Sequence, residues 1–198
     1  MGTRPKRTLR RLRRDEDGIA AIEFGILAVP FLMLLFGILE LAIVFFASAA
    51  LDHGTAQAGR LIRTDQIDHG LSESQRKEAF REEICENMAV FKDCKTRLIV
   101  DLVAHDSDFN AVNLPAPAPY DPDFDREAYE AAASGGPAYS GSPPPTETFQ
   151  AAGRDAVVLL RTQYVHQLAI PGWLTRLSND RGNTRRLTSI TAFKNEPF

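Results

Sequence analysis

The fold of this chain is decided by one stretch near its N-terminus, GIAAIEFGILAVPFLMLLFGILELAIVFFASAAL, at residues 18–51. The 28 residues from Phe24 to Leu51 include a single charged side chain, that of Glu40. Since about 20 apolar residues cross a bilayer as an α-helix, this run is long enough to span a membrane with residues to spare. We therefore predict a transmembrane helix over 19–51 that continues to about residue 66.

A basic segment precedes this helix. Residues 1–17 carry seven Lys or Arg and three Asp or Glu side chains, a net charge of +4, whereas residues 18–198 carry sixteen and 23, a net charge of −7. Basic residues beside a membrane helix stay on the cytoplasmic side. We therefore predict that residues 1–18 form a cytoplasmic leader and residues 67–198 a periplasmic head.

Three other interpretations fit this pattern less well. The basic cluster is similar to a nucleic-acid-binding arm, but the apolar run begins ten residues after Arg14, so we expect no nucleic acid partner. The run is more uniformly apolar than the core helix of a soluble protein. It is also far longer than the roughly 7–15 apolar residues of a secretory signal peptide, which would be cut near Ala47-Ser48-Ala49.

Gly18, Ile19 and Glu23 are the candidate functional residues at the start of the helix. A glycine suits a protease that grips extended backbone near the membrane surface, and a cut after Gly18 gives Ile19 a new amino group. A carboxylate at the start of a membrane-spanning segment carries a free-energy cost, which favours a functional role. Glu23 is therefore predicted to pair with that amine, within one chain or between subunits. The alternative is that Glu23 lies in the headgroup layer, where the free-energy cost of its charge is small.

Glu40 is the second carboxylate of the helix. It follows Glu23 by seventeen residues, or about 25 Å along an α-helix, which brings it near the opposite face of a bilayer core about 30 Å thick. Two roles remain open for it, an anchor at the membrane surface and a contact to another helix.

The rest of the sequence predicts a small α+β head. Ser72-Glu73-Ser74-Gln75 matches a capping box before a helix that runs to about Met88. Strands are predicted over 98–103, 156–168 and 187–193, and they would form a roughly three-stranded antiparallel sheet. Residues 105–150 hold eight of the twelve prolines and are predicted to form a long exposed loop, with a helical turn at Arg126–Ala133.

The two cysteines, Cys85 and Cys94, lie on the predicted exported side. Disulfides persist in such compartments, and only one pairing is possible within the chain. A disulfide between them is therefore predicted. Two buried free thiols remain the alternative.

Signatures of enzymes are missing from the sequence. It has no G-x-S-x-G, no H-E-x-x-H and no phosphate-binding loop. The run Asp121-x-Asp123-x-Asp125 opens like a calcium loop, but Arg126 stands where glycine is needed. We therefore expect no enzyme activity, no catalytic residue, no cofactor and no metal site.

Four segments together resemble a known family. Gly18–Phe24 looks like the processing site of the Flp-type pilins and TadE-like pseudopilins of tight-adherence (Tad) pili, with its Glu-Phe pair. Gly37–Leu41 resembles the TadE-like membrane helix, and Ala56–Thr64 the segment that follows it. Phe193–Phe198 is similar to the C-terminal ending of the family.

The resemblance implies a minor pseudopilin of the bacterial inner membrane, of the TadE-like or the related TadF-like kind. A prepilin peptidase would cut it after Gly18. The helix, with Glu23 and Phe24, would then set the register of the subunits during assembly. The implied partners are the peptidase, the major Flp-type pilin, other minor pilins, inner-membrane platform proteins and membrane lipid. The implied roles are pilus biogenesis, adhesion and biofilm formation. An uncut, membrane-anchored periplasmic binding protein and a secreted hydrolase are the competing hypotheses.

Overall fold

The computed structural model describes residues 16–64, 66, 71–105, 114–117, 119–150 and 153–196. Most of the predicted leader lies outside these residues. The sequence Asp68-His69-Gly70 predicts a turn, and it too lies outside them. The chain divides into two compact units between Leu41 and Ala42.

Helix α1 runs from Glu16 to Arg63 and supplies the whole first unit that the structure describes. It continues through Pro30 without a break in helical backbone. From Ile19 to Arg63 it is long and apolar enough to cross a membrane, with a mean hydropathy of 2.6 in its most apolar window. The predicted helix is thus confirmed, and it ends at Arg63.

The second unit begins with the C-terminal part of α1, which is amphipathic. Its buried residues recur every three or four positions, the spacing of one helical face. They are Val44, Ala47, Leu51, Gly54, Thr55, Ala58, Gly59 and Ile62. Small side chains on this face allow a close approach to the sheet.

Two contacts show how close this approach is. The Oγ1 atoms of Thr55 and Thr162 lie 2.5 Å apart. A Cβ added at Gly59 would stand 3.2 Å from the ring of Phe193.

Helix α2, Glu73–Asn87, begins at the predicted capping box. The Ser72 hydroxyl accepts a hydrogen bond from the Gln75 backbone N–H, and the Gln75 side chain accepts one from the Ser72 N–H. The two bonds satisfy helix-end donors that would otherwise lack partners. Phe80, Ile84 and Met88 are buried, as their spacing of four predicts.

A three-stranded antiparallel sheet follows, in the order β1-β2-β3. Its strands are β1 Leu98–His105, β2 Val157–Gln167 and β3 Thr184–Lys194. Three short helices complete the unit: α3 Cys94–Arg97 before β1, α4 Arg126–Ala133 between β1 and β2, and α5 Gly172–Thr175 between β2 and β3. The predicted α+β class and three-stranded sheet are confirmed.

The proline-rich segment is less exposed than we predicted. Helix α4 forms where expected, but Tyr120, Phe124 and Phe149 are buried. The backbone near Phe149 pairs with the outer edge of β1: Leu102 N–H donates to Thr148 O (2.6 Å), and Gln150 N–H donates to Leu102 O (2.9 Å). An edge strand offers unpaired backbone groups, and here the end of a proline-rich segment binds them.

The predicted disulfide joins Cys85, in α2, to Cys94, the first residue of α3. Its Cα atoms are 5.6 Å apart, within the usual range for a bridge. It lies in the core with Phe80, Ile84 and Leu98. The bridge therefore ties the end of α2 to the start of β1.

Loss of this bridge should destabilise the second unit. Closing a loop of this length stabilises by roughly 2–3 kcal/mol in the chain-entropy model. We expect the Cys85→Ser/Cys94→Ser variant to lose about that much free energy of unfolding, measured by urea titration. Reduced wild-type protein is the matched control and should lose as much. Two reactive thiols in unreduced, unfolded wild-type protein would contradict the bridge.

Candidate functional site on the N-terminal helix

The predicted processing residues lie in the first turns of α1. Gly18 has helical backbone, so a protease that needs extended chain must first open this turn. Glycine is a weak helix former, about 1 kcal/mol worse than alanine, which eases that opening. Ile19 is 48% exposed and Phe24 74% exposed, and the Glu23 side chain is exposed as well. These residues are therefore accessible on the surface of the first unit.

The first unit presents apolar side chains to its surroundings. Fifteen large apolar residues between Ile19 and Leu41 are exposed. A helix that is apolar all round belongs in a membrane or among other helices. The fifteen are Ile19, Ile22, Phe24, Ile26, Leu27, Val29, Phe31, Leu32, Met33, Leu34, Leu35, Phe36, Ile38, Leu39 and Leu41.

The two helix carboxylates differ in burial. Glu23 is exposed, whereas Glu40 is only 5% exposed within the single chain. A carboxylate on the helix surface is available to a group from outside the chain. Of the two, Glu23 is therefore the one placed for a contact with a neighbouring subunit, and the role of Glu40 stays open.

A buried ion cluster in the second unit was not predicted from the sequence. Glu147, at the end of the proline-rich segment, receives cationic side chains from two helices. Arg81 of α2 donates to both carboxylate oxygens at 3.0 Å, Lys77 of α2 lies 3.0 Å away, and Arg126 of α4 lies 3.4 Å away. The carboxylate also accepts from the backbone N–H of Val100 at 3.2 Å. Glu147 thus joins α2, α4 and β1.

The electrostatics of this cluster keep Glu147 ionised. Burial by itself would raise the pKa of Glu147, but the charges of Arg81, Arg126 and Lys77 hold that pKa below its ordinary value. Burial and the neighbouring Arg81 cation lower the pKa of Arg126. The cluster is consequently a structural joint, since each of its charges has an opposite charge beside it.

A second buried pair holds the earlier part of the proline-rich segment. Arg161 of β2 donates to Asp101 of β1 through Nε (3.0 Å) and Nη2 (2.6 Å). Its third nitrogen donates to the Pro115 carbonyl at 2.8 Å, and the other oxygen of Asp101 accepts from Thr148 N–H at 3.1 Å. Both ion clusters therefore attach this segment to the sheet.

An open cleft of about 610 Å³ borders the Glu147 cluster. Its charged lining is balanced, with Lys77, Arg81 and Arg126 facing Glu78, Glu130 and Glu147. This balance favours no ligand of either charge. Within the part of the chain that the structure describes, no group of three or more His, Cys, Asp or Glu residues is arranged to hold a metal ion.

The carboxylates of the calcium-like run have local structural roles instead. Asp121 accepts a hydrogen bond from the Asp123 N–H (3.0 Å), and Asp125 caps helix α4 by accepting from the Ala128 N–H (3.0 Å). The cap satisfies a helix-end donor, so Asp125 is engaged in forming the helix.

We predict that Glu147→Gln destabilises the second unit. The substitution leaves three cations around a neutral side chain, and removing one partner of a buried ion pair costs about 3–5 kcal/mol. The free energy of unfolding from urea titration measures the loss. Glu127→Gln, at an exposed position of α4, is the matched control and should change stability little.

The same carboxylate should make stability depend on pH. The folded pKa of Glu147 lies below the unfolded value of about 4.3, so its contribution is complete above that value and is lost as pH falls through the folded pKa. Wild-type protein should therefore lose more stability on acidification than Glu147→Gln. Parallel pH profiles for the two proteins would contradict this account.

Comparison with known proteins adds one finding. A family model described as TadE-like protein matches residues 18–60. The match begins at Gly18 and ends three residues before the end of α1. No curated protein and no solved structure matches the chain. The chain is therefore similar to TadE-like proteins over residues 18–60, from the predicted processing site through most of α1.

Proposed function

We propose that this protein is a minor pseudopilin of the Tad/Flp pilus. It is made with a basic cytoplasmic leader, anchored in the bacterial inner membrane by α1, and cut after Gly18 by a prepilin peptidase. The processed helix then packs among the major Flp-type pilin and other minor pilins on the membrane platform. The second unit lies in the periplasm or on the pilus. Adhesion and biofilm formation follow from pilus assembly.

The observation that carries this proposal is the TadE-like match over a helix whose apolar side chains are exposed. A helix of this kind needs lipid before assembly and other helices after it. The position of Glu23 supports the same sequence of events. Processing would place a new amine four residues before this exposed carboxylate, and two such charges offset one another in apolar surroundings.

The role that we propose is structural and involves no catalysis. The buried charged groups of the described head hold the fold together. Glu147, for example, is enclosed by Lys77, Arg81 and Arg126. Such groups serve to position the proline-rich segment on the sheet.

N-terminal sequencing of the protein from its native membrane tests the processing step. We expect the mature chain to begin at Ile19. Gly18→Val should block cutting because it places a branched side chain where the protease must grip the backbone. Gly25→Ala is the matched control, since a Cβ at Gly25 meets no atom within 4 Å. A mature wild-type chain that keeps its basic leader would favour the anchored binding protein, and one that starts near Leu51 a secreted protein.

A Glu23→Ala variant tests the assembly role of the helix carboxylate. We expect normal insertion and normal cutting but loss of incorporation into pili, because the mature amine would lack its partner between subunits. Immunoblots of sheared pili and of membranes separate the two steps. The control is Glu16→Ala, which removes a carboxylate from the leader. Normal incorporation of Glu23→Ala would contradict the pairing.

A further inference from the structure

The connection between β2 and β3, residues 168–183, exposes the one tryptophan of the chain. Trp173 is 81% exposed and the adjacent Leu174 is 44% exposed. In the sequence, Trp173, Leu174 and Leu177 predict a short apolar turn here, and helix α5 forms at this place, but its largest side chain points away from the core. An exposed tryptophan next to an exposed leucine requires an explanation.

Hydrogen bonds hold this connection in one conformation. The Asn183 side chain donates to the carbonyls of Leu168 (3.0 Å) and Ile170 (3.3 Å), and it accepts from the Gly172 N–H. The Leu168 N–H donates to the Asn183 carbonyl at 3.1 Å. The exposure of Trp173 is therefore a property of a braced loop.

The β2–β3 connection lies at one end of the second unit, and α1 enters the unit at this same end. The ring of Phe46, in the first turns of this unit, is 6.0 Å from that of Phe91, which is 5.9 Å from the ring of His166 near the end of β2. At the other end of the unit, Arg63 pairs with Glu196, just after β3. Within the second unit, the part of α1 from Ala42 to Arg63 therefore runs antiparallel to β2, with the β2–β3 connection beside the first turns of that part.

The position of this end relative to a bilayer follows from the length of the apolar run. Twenty residues counted from Phe24 reach Ile43, and about 20 residues span the hydrocarbon core. Phe46 would then lie about 4.5 Å beyond that core along the helix, at the depth of the headgroups. Tryptophan is enriched at this depth because its ring is apolar and its N–H is polar.

The charge of the same segment points to lipid as its occupant. Residues 168–183 carry two arginines and one aspartate, and the aspartate, Asp180, pairs with Arg186 of β3, whereas residues 18–198 as a whole have a net charge of −7. Arg176 and Arg181 are exposed beside α5. A second exposed apolar side chain, Val90, adjoins Phe91 at this end and is followed by exposed Lys92. Arginine and lysine around apolar side chains suit an anionic lipid surface.

We propose that the β2–β3 connection is a second membrane contact, with Trp173 and Leu174 in the headgroup layer and Arg176 and Arg181 on anionic lipid phosphates. This proposal rests on the membrane insertion of α1 in the proposed function. Before assembly the contact holds the head against the bilayer. The head must leave the lipid surface when the helix enters a filament.

Fluorescence of the full-length protein in lipid vesicles tests the contact, because Trp173 is the only tryptophan. Flotation after a carbonate wash reports insertion of α1 independently. In vesicles that contain phosphatidylglycerol we expect short-wavelength emission, weak quenching by aqueous iodide, and strong quenching by lipids brominated close to the headgroup. Trp173→Phe/Ile190→Trp is the matched control. Its tryptophan would be exposed about 20 Å along β3 from the connection and should behave as in water.

Three other results would overturn the proposed membrane contact, and they can be told apart. Inserted protein whose Trp173 emits as in water and is quenched by iodide refutes it while leaving membrane anchoring intact. Short-wavelength emission without quenching by brominated lipid indicates a protein surface as the occupant. Protein that does not float with the vesicles refutes the insertion as well.

The electrostatic part of the proposal has its own test. Arg176→Gln/Arg181→Gln should reduce bromolipid quenching in anionic vesicles to the level of wild-type protein in phosphatidylcholine vesicles. Unchanged quenching in the variant would overturn the role of the arginines.

Discussion

A single continuous helix meets two different physical demands in this protein, and the rest of the structure depends on how it does so. From Ile19 to Leu41, fifteen side chains of α1 are large, apolar and exposed. From Ala42 onward small residues such as Ala47, Ala58 and Gly59 form a face that approaches the sheet closely. Backbone hydrogen bonds inside a helix are satisfied in either environment, so only the side chains need to change.

Two buried ion clusters, those of Asp101 and Glu147, hold the head together in addition to its hydrophobic core. Among the described residues of its proline-rich segment there is a single short helix, yet two buried carboxylates, Asp101 and Glu147, connect these residues to β1, β2 and α2. Each carboxylate is matched by arginine with good geometry, the condition under which buried charge is tolerated. The segment is therefore ordered by a few specific contacts near its ends.

Much of the fold could be predicted because local signals dominate it. The apolar run, the capping box at Ser72 and the branched residues of β1 each specify one element through its own sequence. The ion clusters could not be predicted, because Arg81 and Glu147 are 66 residues apart in the chain. The sequence contained a partial signal for the second ion pair, that of Asp101 and Arg161. Asp101 interrupts the apolar run of β1, Arg161 follows four apolar residues of β2, and the two lie opposite each other in the register.

The features of the candidate site also differ in whether the sequence alone predicts them. The position of Glu23 on the first turns of a helix follows from sequence, whereas the helical backbone of Gly18 does not, because the helix was predicted to begin at residue 19 and begins at Glu16. The burial of Glu40 and the exposure of Trp173 depend on tertiary structure. An apolar turn was expected around Trp173, but whether its ring faced the core could not be derived from composition.

The bridge between Cys85 and Cys94 has a consequence for the order of events in biogenesis. It forms only in an oxidising compartment, so a copy stranded in the reducing cytoplasm would lack the covalent link between α2 and β1. Such a copy would unfold more readily and be degraded sooner. If the second unit is exported as we propose, translocation would complete its folding, and molecules that have crossed the membrane would be favoured.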